Sequence, residues 1–171
     1  PVASEFWLEV IGDANLTPAE TDRRRVLKAG IAAQNGEVDT AITLYDRTIN
    51  GRDRLSRALA VLEKTELLLS EEDMSPAEAV EALDGLRYVW RGDTLEFRIL
   101  RRLGELELAA GEYRDGLRTL KRAASNFPEH PQAPVLADEM RTLFERLYMD
   151  GEANDLAPIT AIALFNEFRE L

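Results

Sequence analysis

Apolar residues recur every three or four positions along most of the chain, which is the spacing of a helix with one buried face. One such series is Leu55, Leu59, Leu62 and Leu69, and comparable series continue almost to the last residue. The sequence has no strictly alternating apolar and polar run, the pattern typical of a half-buried strand. The spacing predicts an all-α fold of eight helices, near residues 18–35, 37–50, 53–71, 76–90, 94–110, 113–126, 132–149 and 157–170.

Three of the predicted helices begin with a capping sequence. Residues 17–20 (TPAE) and 75–78 (SPAE) are capping boxes with proline at the first helical position, and residues 93–96 (DTLE) use aspartate as the cap. The cap oxygen accepts a hydrogen bond from a free backbone N–H, which contributes about 1 kcal/mol. Short glycine-containing connections follow several predicted helix ends, and they predict antiparallel neighbouring helices.

A local pattern recurs along the chain. Residues 36–45 are similar to residues 111–120, and residues 75–83 fit the same pattern. Each copy is anchored by a small residue, at Ala41, Ala79, Gly116 and, in a fourth and weaker copy, Ala161. The 45 positions between the last two anchors predict a longer connection before the fourth copy. Such self-similarity is typical of stacked helical hairpins.

These residues resemble the tetratricopeptide repeat family. The third copy matches best, through a glycine before the second helix, an aromatic residue, two small residues, a large apolar residue and a closing proline, at Gly111, Tyr113, Gly116, Leu120, Ala123 and Pro128. The steps exceed the family period of about 34 residues, and the Trp and Tyr expected in each first helix are absent. The resemblance implies a right-handed α-solenoid of about four antiparallel hairpins; another α-solenoid or a compact helical bundle is the alternative.

The pattern divides the chain into two parts. Residues 1–16 are predicted to form an apolar amino-terminal arm or short helix, and residues 17–171 a helical repeat domain with repeats near 17–51, 52–91, 92–128 and 129–171. The chain begins at Pro1 and favours Arg over Lys, so we interpret it as a fragment of a larger bacterial protein.

Composition excludes several classes of partner. The net charge of −11 argues against nucleic-acid binding, which needs clustered cations. The absence of cysteine removes disulfides, thiol nucleophiles and thiolate metal sites. No run of eighteen apolar residues occurs, so the prediction is a soluble protein, cytoplasmic or periplasmic, without direct membrane insertion.

Candidate catalytic residues are few. His130, the only histidine, lies in a predicted loop without a Ser or Cys partner pattern, which favours a solvent-exposed structural role. The acidic run at residues 71–73 lacks calcium-loop spacing, and no phosphate loop or nucleophile elbow occurs. The prediction is a non-enzymatic protein with no catalytic, cofactor-binding or metal-binding residues. A helical enzyme, which would need a deep polar pocket, is a weaker hypothesis.

A basic face on the fifth predicted helix is the candidate peptide-binding groove. Arg98, Arg101 and Glu105 follow one another at three- and four-residue steps. The family resemblance implies that this face lines a concave groove, where arginine would suit an acidic peptide. Salt bridges to neighbouring carboxylates are the favoured alternative. The resemblance does not extend to the clamp that binds acidic chaperone tails, because Gly30, Leu68 and Glu105 stand where it has asparagine.

The two ends of the chain are apolar. The last predicted helix carries a candidate self-association face, Ile162, Phe165 and Phe168, although terminal repeats normally present a polar outer face. We expect a further repeat, a protein partner, a second copy in a homodimer or the amino-terminal arm to cover it; that arm contains Phe6, Trp7, Val10 and Ile11.

These features predict a protein–protein interaction scaffold or adaptor that binds a peptide or a neighbouring domain. The identity of that partner does not follow from the residues. The alternative is a helical regulatory or assembly domain of a larger envelope or enzymatic protein, and segments outside these residues would distinguish the two.

Overall fold

The computed structural model describes residues 16–171, so all but the last residue of the predicted amino-terminal arm lies outside it. It confirms the all-α prediction for these residues, which contain no strand. Every helix begins and ends within two residues of its predicted bounds. The helices are α1 (Pro18–Gln34), α2 (Val38–Ile49), α3 (Arg54–Ser70), α4 (Pro76–Val89), α5 (Thr94–Ala109), α6 (Tyr113–Asn126), α7 (Ala133–Met149) and α8 (Pro158–Phe168), with a 3-10 helix at Glu152–Asp155.

The predicted caps account for the helix starts. The Thr17 hydroxyl accepts from the Glu20 backbone N–H at 3.3 Å, and the Glu20 carboxylate accepts from the Thr17 backbone N–H at 2.7 Å. The capping box of α4 makes the same two bonds. At α5 the cap differs from the prediction, because the Glu96 carboxylate accepts from the Gly92 N–H rather than from that of Asp93. Local sequence therefore determines where these helices begin.

The second helix of each predicted hairpin, that is α2, α4, α6 or α8, follows a connection that contains one residue with a left-handed backbone conformation. These residues are Gly36 (φ 78°), Glu72 (φ 61°), Gly111 (φ 82°) and Gly151 (φ 86°). In the first three connections, two N–H groups bond back to the last helical turn, as from Gly36 to the Ala33 carbonyl at 3.1 Å. This geometry ends a helix and turns the chain back antiparallel to it.

The chain forms two compact units, the first ending at Arg91 and the second beginning at Gly92. In the first unit α2 lies against both α1 and α3, and α4 packs on α3. Small residues dominate where α1, α2 and α3 meet. The buried core there comprises Val26, Ala29, Ala32, Ala41, Tyr45 and Ala60.

The second unit repeats this order of packing. Its α6 lies against both α5 and α7, and side chains of α8 complete the core. The core contains Phe97, Leu100, Leu117, Leu120, Ala123, Ala133, Leu136, Met140, Leu147, Ala153, Leu164 and Phe168. In each unit, therefore, the second helix of the first hairpin (α2 or α6) is covered by the first helix of the following hairpin (α3 or α7).

Small residues determine how closely paired helices approach. The repeat anchor is the fourth residue of every second helix, and Gly116 has this place in α6. It faces Gly104 on α5, where an added Cβ would lie 2.5 Å from a methyl carbon of Leu120 and 3.1 Å from the Gly116 carbonyl oxygen. Only glycine fits at this crossing, and the backbones of α5 and α6 make the most extensive contact in the described chain.

The fourth hairpin departs from this packing. Gly104 lies seven positions before Gly111, the left-handed residue of its hairpin. In the fourth hairpin, the residue seven positions before the left-handed Gly151 is Phe144 of α7. Its ring stacks on Phe165 of α8 with centroids 5.9 Å apart, while the two backbones make little contact. We attribute the separation of α7 and α8 to the bulk of this ring. The connection between them also contains the 3-10 helix, which agrees with the longer loop predicted before the fourth copy.

Candidate functional site

The predicted arginine groove is occupied by the protein's own carboxylates. Arg101 donates from Nε to Glu105 at 2.8 Å and from Nη2 to Glu139 of α7 at 3.2 Å. The hydrogen bond to Glu105, helped by the charge of Glu139, raises the pKa of Arg101 above its usual value. Arg98 is exposed and also has an interaction partner. The structure thus places Arg101 and Glu105 in the salt bridges that were the alternative to peptide binding.

The predicted self-association face requires one correction. Ile162 and Phe165 are exposed, at 59% and 45%, but Phe168 is 1% exposed and belongs to the core of the second unit. Phe168 is the eleventh residue of α8, and the eleventh residues of the other second helices are also buried, namely Thr48, Leu86 and Ala123. The Lys121 ammonium lies 5.9 Å from the centroid of the Phe168 ring.

Ile159, rather than Phe168, is the third large apolar residue on the exposed side of α8. It is 75% exposed and precedes Ile162 by three positions, as Ile162 precedes Phe165. Residues three apart lie on one side of a helix, so these three side chains form a stripe across about two turns. We call Ile159, Ile162 and Phe165 the α8 surface.

Aromatic contacts support the α8 surface from within. Tyr148 lies edge-on to Phe165 with centroids 5.2 Å apart, and its hydroxyl donates to the Ala161 carbonyl at 2.7 Å. Phe144 packs on Tyr148 at 4.7 Å. Because these rings fix Phe165 in place, its exposed edge would lose little conformational freedom on binding.

Ion pairs fix the rotation of α8 about its own axis. Glu167 accepts from Arg114 Nε at 2.6 Å and from Arg118 Nη2 at 2.9 Å, and both arginines are on α6. The hydrogen bond from Arg118, followed by that from Arg114, lowers the pKa of Glu167 despite the opposing effect of burial. Such half-exposed pairs contribute up to about 1 kcal/mol each. With Glu167 turned toward α6, the α8 surface is left exposed.

A second feature is a buried carboxylate in the first unit. Asp22 of α1 is 4% exposed and accepts from the backbone N–H groups of Arg52 at 2.6 Å and Asp53 at 3.0 Å. Arg25 adds an ion pair at 2.8 Å. A side chain at Gly51 would collide with this carboxylate. Asp22 thus caps the start of α3 from another helix, which the sequence pattern did not suggest because the partners are backbone groups 30 positions away.

The Asp22 carboxylate accepts three hydrogen bonds, and its surroundings favour the charged form. Burial alone would raise its pKa, but the N–H groups of Asp53 and Arg52, together with the Arg25 guanidinium, outweigh burial and lower it. It lies in an open cleft of about 620 Å³ that also contains Arg47 and Arg52. Since its oxygens already hold these donors, we assign Asp22 a structural role.

The remaining polar candidates also have structural contacts. His130 lies in a loop as predicted but is half-buried rather than solvent-exposed, because its ring stacks on Phe97 at 3.8 Å. Its Nδ1 accepts from the Gln132 backbone N–H at 3.2 Å. Residues 16–171 contain no group of three or more acidic, histidine or cysteine side chains arranged to hold a metal ion. Across the same residues, no helix combines the length and apolar character needed to cross a membrane.

Comparison with known proteins adds no assignment. No protein-family model, no curated protein and no solved structure matches the chain.

Proposed function

We propose that this chain is a non-enzymatic protein-interaction scaffold or adaptor that binds a protein partner through the α8 surface. The observation that carries the proposal is the exposure of Ile159, Ile162 and Phe165 on one side of a helix. The eighth residues of the other second helices, Tyr45, Leu83 and Leu120, are all buried, whereas Phe165 in the same place is not. Exposed apolar side chains grouped in this way are typical of interaction sites.

The apolar character of the surface explains how it would bind. Removing apolar area from water contributes about 25 cal/mol per Å², and rigid aromatic residues at the centre of an interface carry a large share of binding free energy. Phe165 is such a residue, already ordered by Phe144 and Tyr148. The arginine groove is a weaker candidate, since an acidic peptide would have to displace Glu105 and Glu139 from Arg101.

We further propose that the hairpins form a tetratricopeptide-like, right-handed α-solenoid. Three recurring features support it: a left-handed residue in the connection within each hairpin, a small residue at the fourth position of each second helix, and coverage of α2 and α6 by the following helix. An experimental structure with the four hairpins stacked in a right-handed superhelix is the expected result. A closed helical bundle would contradict it.

The binding proposal is tested by comparing three variants of the chain with the wild type. The partner is captured from native lysate, identified, purified and then titrated against each variant. Ile162→Asp/Phe165→Asp should weaken binding about a hundredfold, because two apolar anchors become charged. Thr160→Asp, an exposed polar position on α8, and Arg98→Glu/Arg101→Glu should bind nearly as the wild type does.

Circular dichroism of each variant confirms that the helices are retained. The result that contradicts the proposal is a partner that loses affinity for the arginine variant and keeps it for Ile162→Asp/Phe165→Asp. That outcome would return the binding site to the face of α5.

A further inference from the structure

We infer that the α8 surface accepts an amphipathic helix with a basic polar face, packed along α8 as the next helix of each unit packs along α2 and α6. This inference rests on the proposed function and names the kind of partner. It follows from how this chain covers its own second helices.

Both leading second helices are covered by a helix with an apolar stripe. On α2 the covering helix is α3, whose Ala60, Leu59 and Leu67 join the core cluster of Tyr45. Its Lys64 also bonds to Asp46 of α2 at 2.6 Å. The cover is thus apolar contact along the helix, with an ion pair at its edge.

The covering helix on α6 is α7, and its contacts have the same form. Leu136, Met140 and Leu147 are buried in one cluster with Leu117 and Leu120 of α6. Their spacing of four and seven positions gives a single apolar stripe. A helix with this spacing is what the fold itself uses to bury the side of a second helix.

On α8 the corresponding side is open. Within residues 16–171, α7 contacts one side of Phe165 through Phe144 and Tyr148, and Ile159, Ile162 and Phe165 remain 75%, 59% and 45% exposed. The six positions from Ile159 to Phe165 span about 9 Å of helix axis, so a partner helix of three or four turns is long enough to cover them.

The net charge of the chain indicates which kind of amphipathic helix would bind. The chain has a net charge of −11, which favours approach of a cation-bearing partner and disfavours an acidic one. A second copy of this chain would bring a second net charge of −11, so self-association through this surface is the less favourable outcome. A helix with leucine-like residues on one face and lysine or arginine on the other has both the apolar stripe that would cover α8 and the positive charge that suits the acidic chain.

Thiol protection tests this inference. The chain has no cysteine, so Ile162→Cys introduces a single thiol on the α8 surface and Ser125→Cys a single exposed control thiol on α6. The probe is an 18-residue peptide of leucine and lysine with leucines at helical spacing. The control peptide has the same composition in scrambled order, which keeps the charge and removes the apolar stripe.

At about ten times its Kd, the amphipathic peptide should slow alkylation of Cys at position 162 about tenfold. The scrambled peptide should not slow it, and the thiol at position 125 should react equally in every case. Unchanged alkylation at position 162 up to the solubility limit of a peptide shown to be helical would overturn the inference. Equal slowing by both peptides would also overturn it, because charge alone would explain the effect.

The experiments distinguish an error about the amphipathic helix from an error about binding through the α8 surface. If the purified partner depends on Ile162 and Phe165 but the helical peptide gives no protection, the α8 surface binds a partner that is not an amphipathic helix. If the wild-type chain proves dimeric through Phe165, a second copy occupies the surface and the inference is wrong.

Discussion

Gly104 and Gly116 show how a single methyl group can decide a helix crossing. Both glycines sit where α5 and α6 touch, and an added Cβ on either would lie 2.5–2.7 Å from leucine carbons. The first unit has Ala29 and Ala41 in the same places, both fully buried. The fourth hairpin has Phe144 there, and its helices stand apart. In these three hairpins, the two helices therefore pack more closely where the residue at this position is smaller.

Replacing Gly104 by alanine tests this relation. The gain in helix propensity is about 1 kcal/mol, but overpacking a tight contact costs about 1–3 kcal/mol and here meets both Leu120 and a backbone carbonyl. We expect Gly104→Ala to reduce the free energy of unfolding by about 1 kcal/mol, measured by urea denaturation.

Gly85→Ala is the matched control for that substitution. Gly85 is also inside a helix, but nothing lies within 4 Å of its added Cβ. We expect it to stabilise the protein by about 0.5–1 kcal/mol. Equal effects of the two substitutions would show that the crossing does not require glycine.

The phenylalanines of α8 mark the limit of prediction from sequence at this scale. Phe165 and Phe168 are three positions apart, and their spacing alone assigned both to one apolar face. Counting from the start of each second helix separates them, since the eleventh residue is buried in all four helices. The exposure of Phe165 was not predictable in this way, because it depends on which other elements pack against α8.

Helix bounds, in contrast, were predictable because they depend on neighbours in sequence. The capping boxes at residues 17–20 and 75–78 form the bonds that their sequences predict. Contacts between distant elements gave no comparable signal. The bond from Arg101 to Glu139 crosses 38 positions, and that from Arg118 to Glu167 crosses 49.

The link between α1 and α3 through Asp22 leads to a prediction for acid unfolding. The folded state holds the pKa of Asp22 below its unfolded value near 3.9, so its stabilising effect is present above about pH 4. It is lost as the pH falls through the lowered folded pKa. Asp22→Asn should cost about 1–3 kcal/mol at pH 7, because a buried acceptor of two N–H groups is impaired.

The pH dependence distinguishes this role from a simple packing defect. The difference in unfolding free energy between the wild type and Asp22→Asn should shrink as the pH falls below about 4. Asp73→Asn, at an exposed position between α3 and α4, should leave stability within about 0.5 kcal/mol of the wild type. A pH-independent difference for Asp22→Asn would refute the capping role of the charge.

For the molecule as a whole, salt separates the two candidate binding surfaces. At about 0.15 M salt the general attraction between a basic partner and the acidic chain is already largely screened, whereas apolar contact on α8 is not, so affinity for the purified partner should change less than about threefold between about 0.15 and 0.5 M salt. Binding through Arg98 and Arg101 would continue to weaken over the same range, because exposed ion pairs are screened. Isothermal titration calorimetry at several salt concentrations measures this dependence.

Site-specific photo-crosslinking, followed by titration of the partner that it identifies, tests binding at the α8 surface most directly. One chain carries the photoreactive residue in place of Ile162 and another in place of Arg98. We predict that one partner crosslinks at position 162 and not at position 98, and that this partner binds Ile162→Asp/Phe165→Asp about a hundredfold more weakly than it binds the wild type. A partner that crosslinks at position 98 and binds Ile162→Asp/Phe165→Asp as tightly as the wild type would show that the binding site is the face of α5 and not the α8 surface.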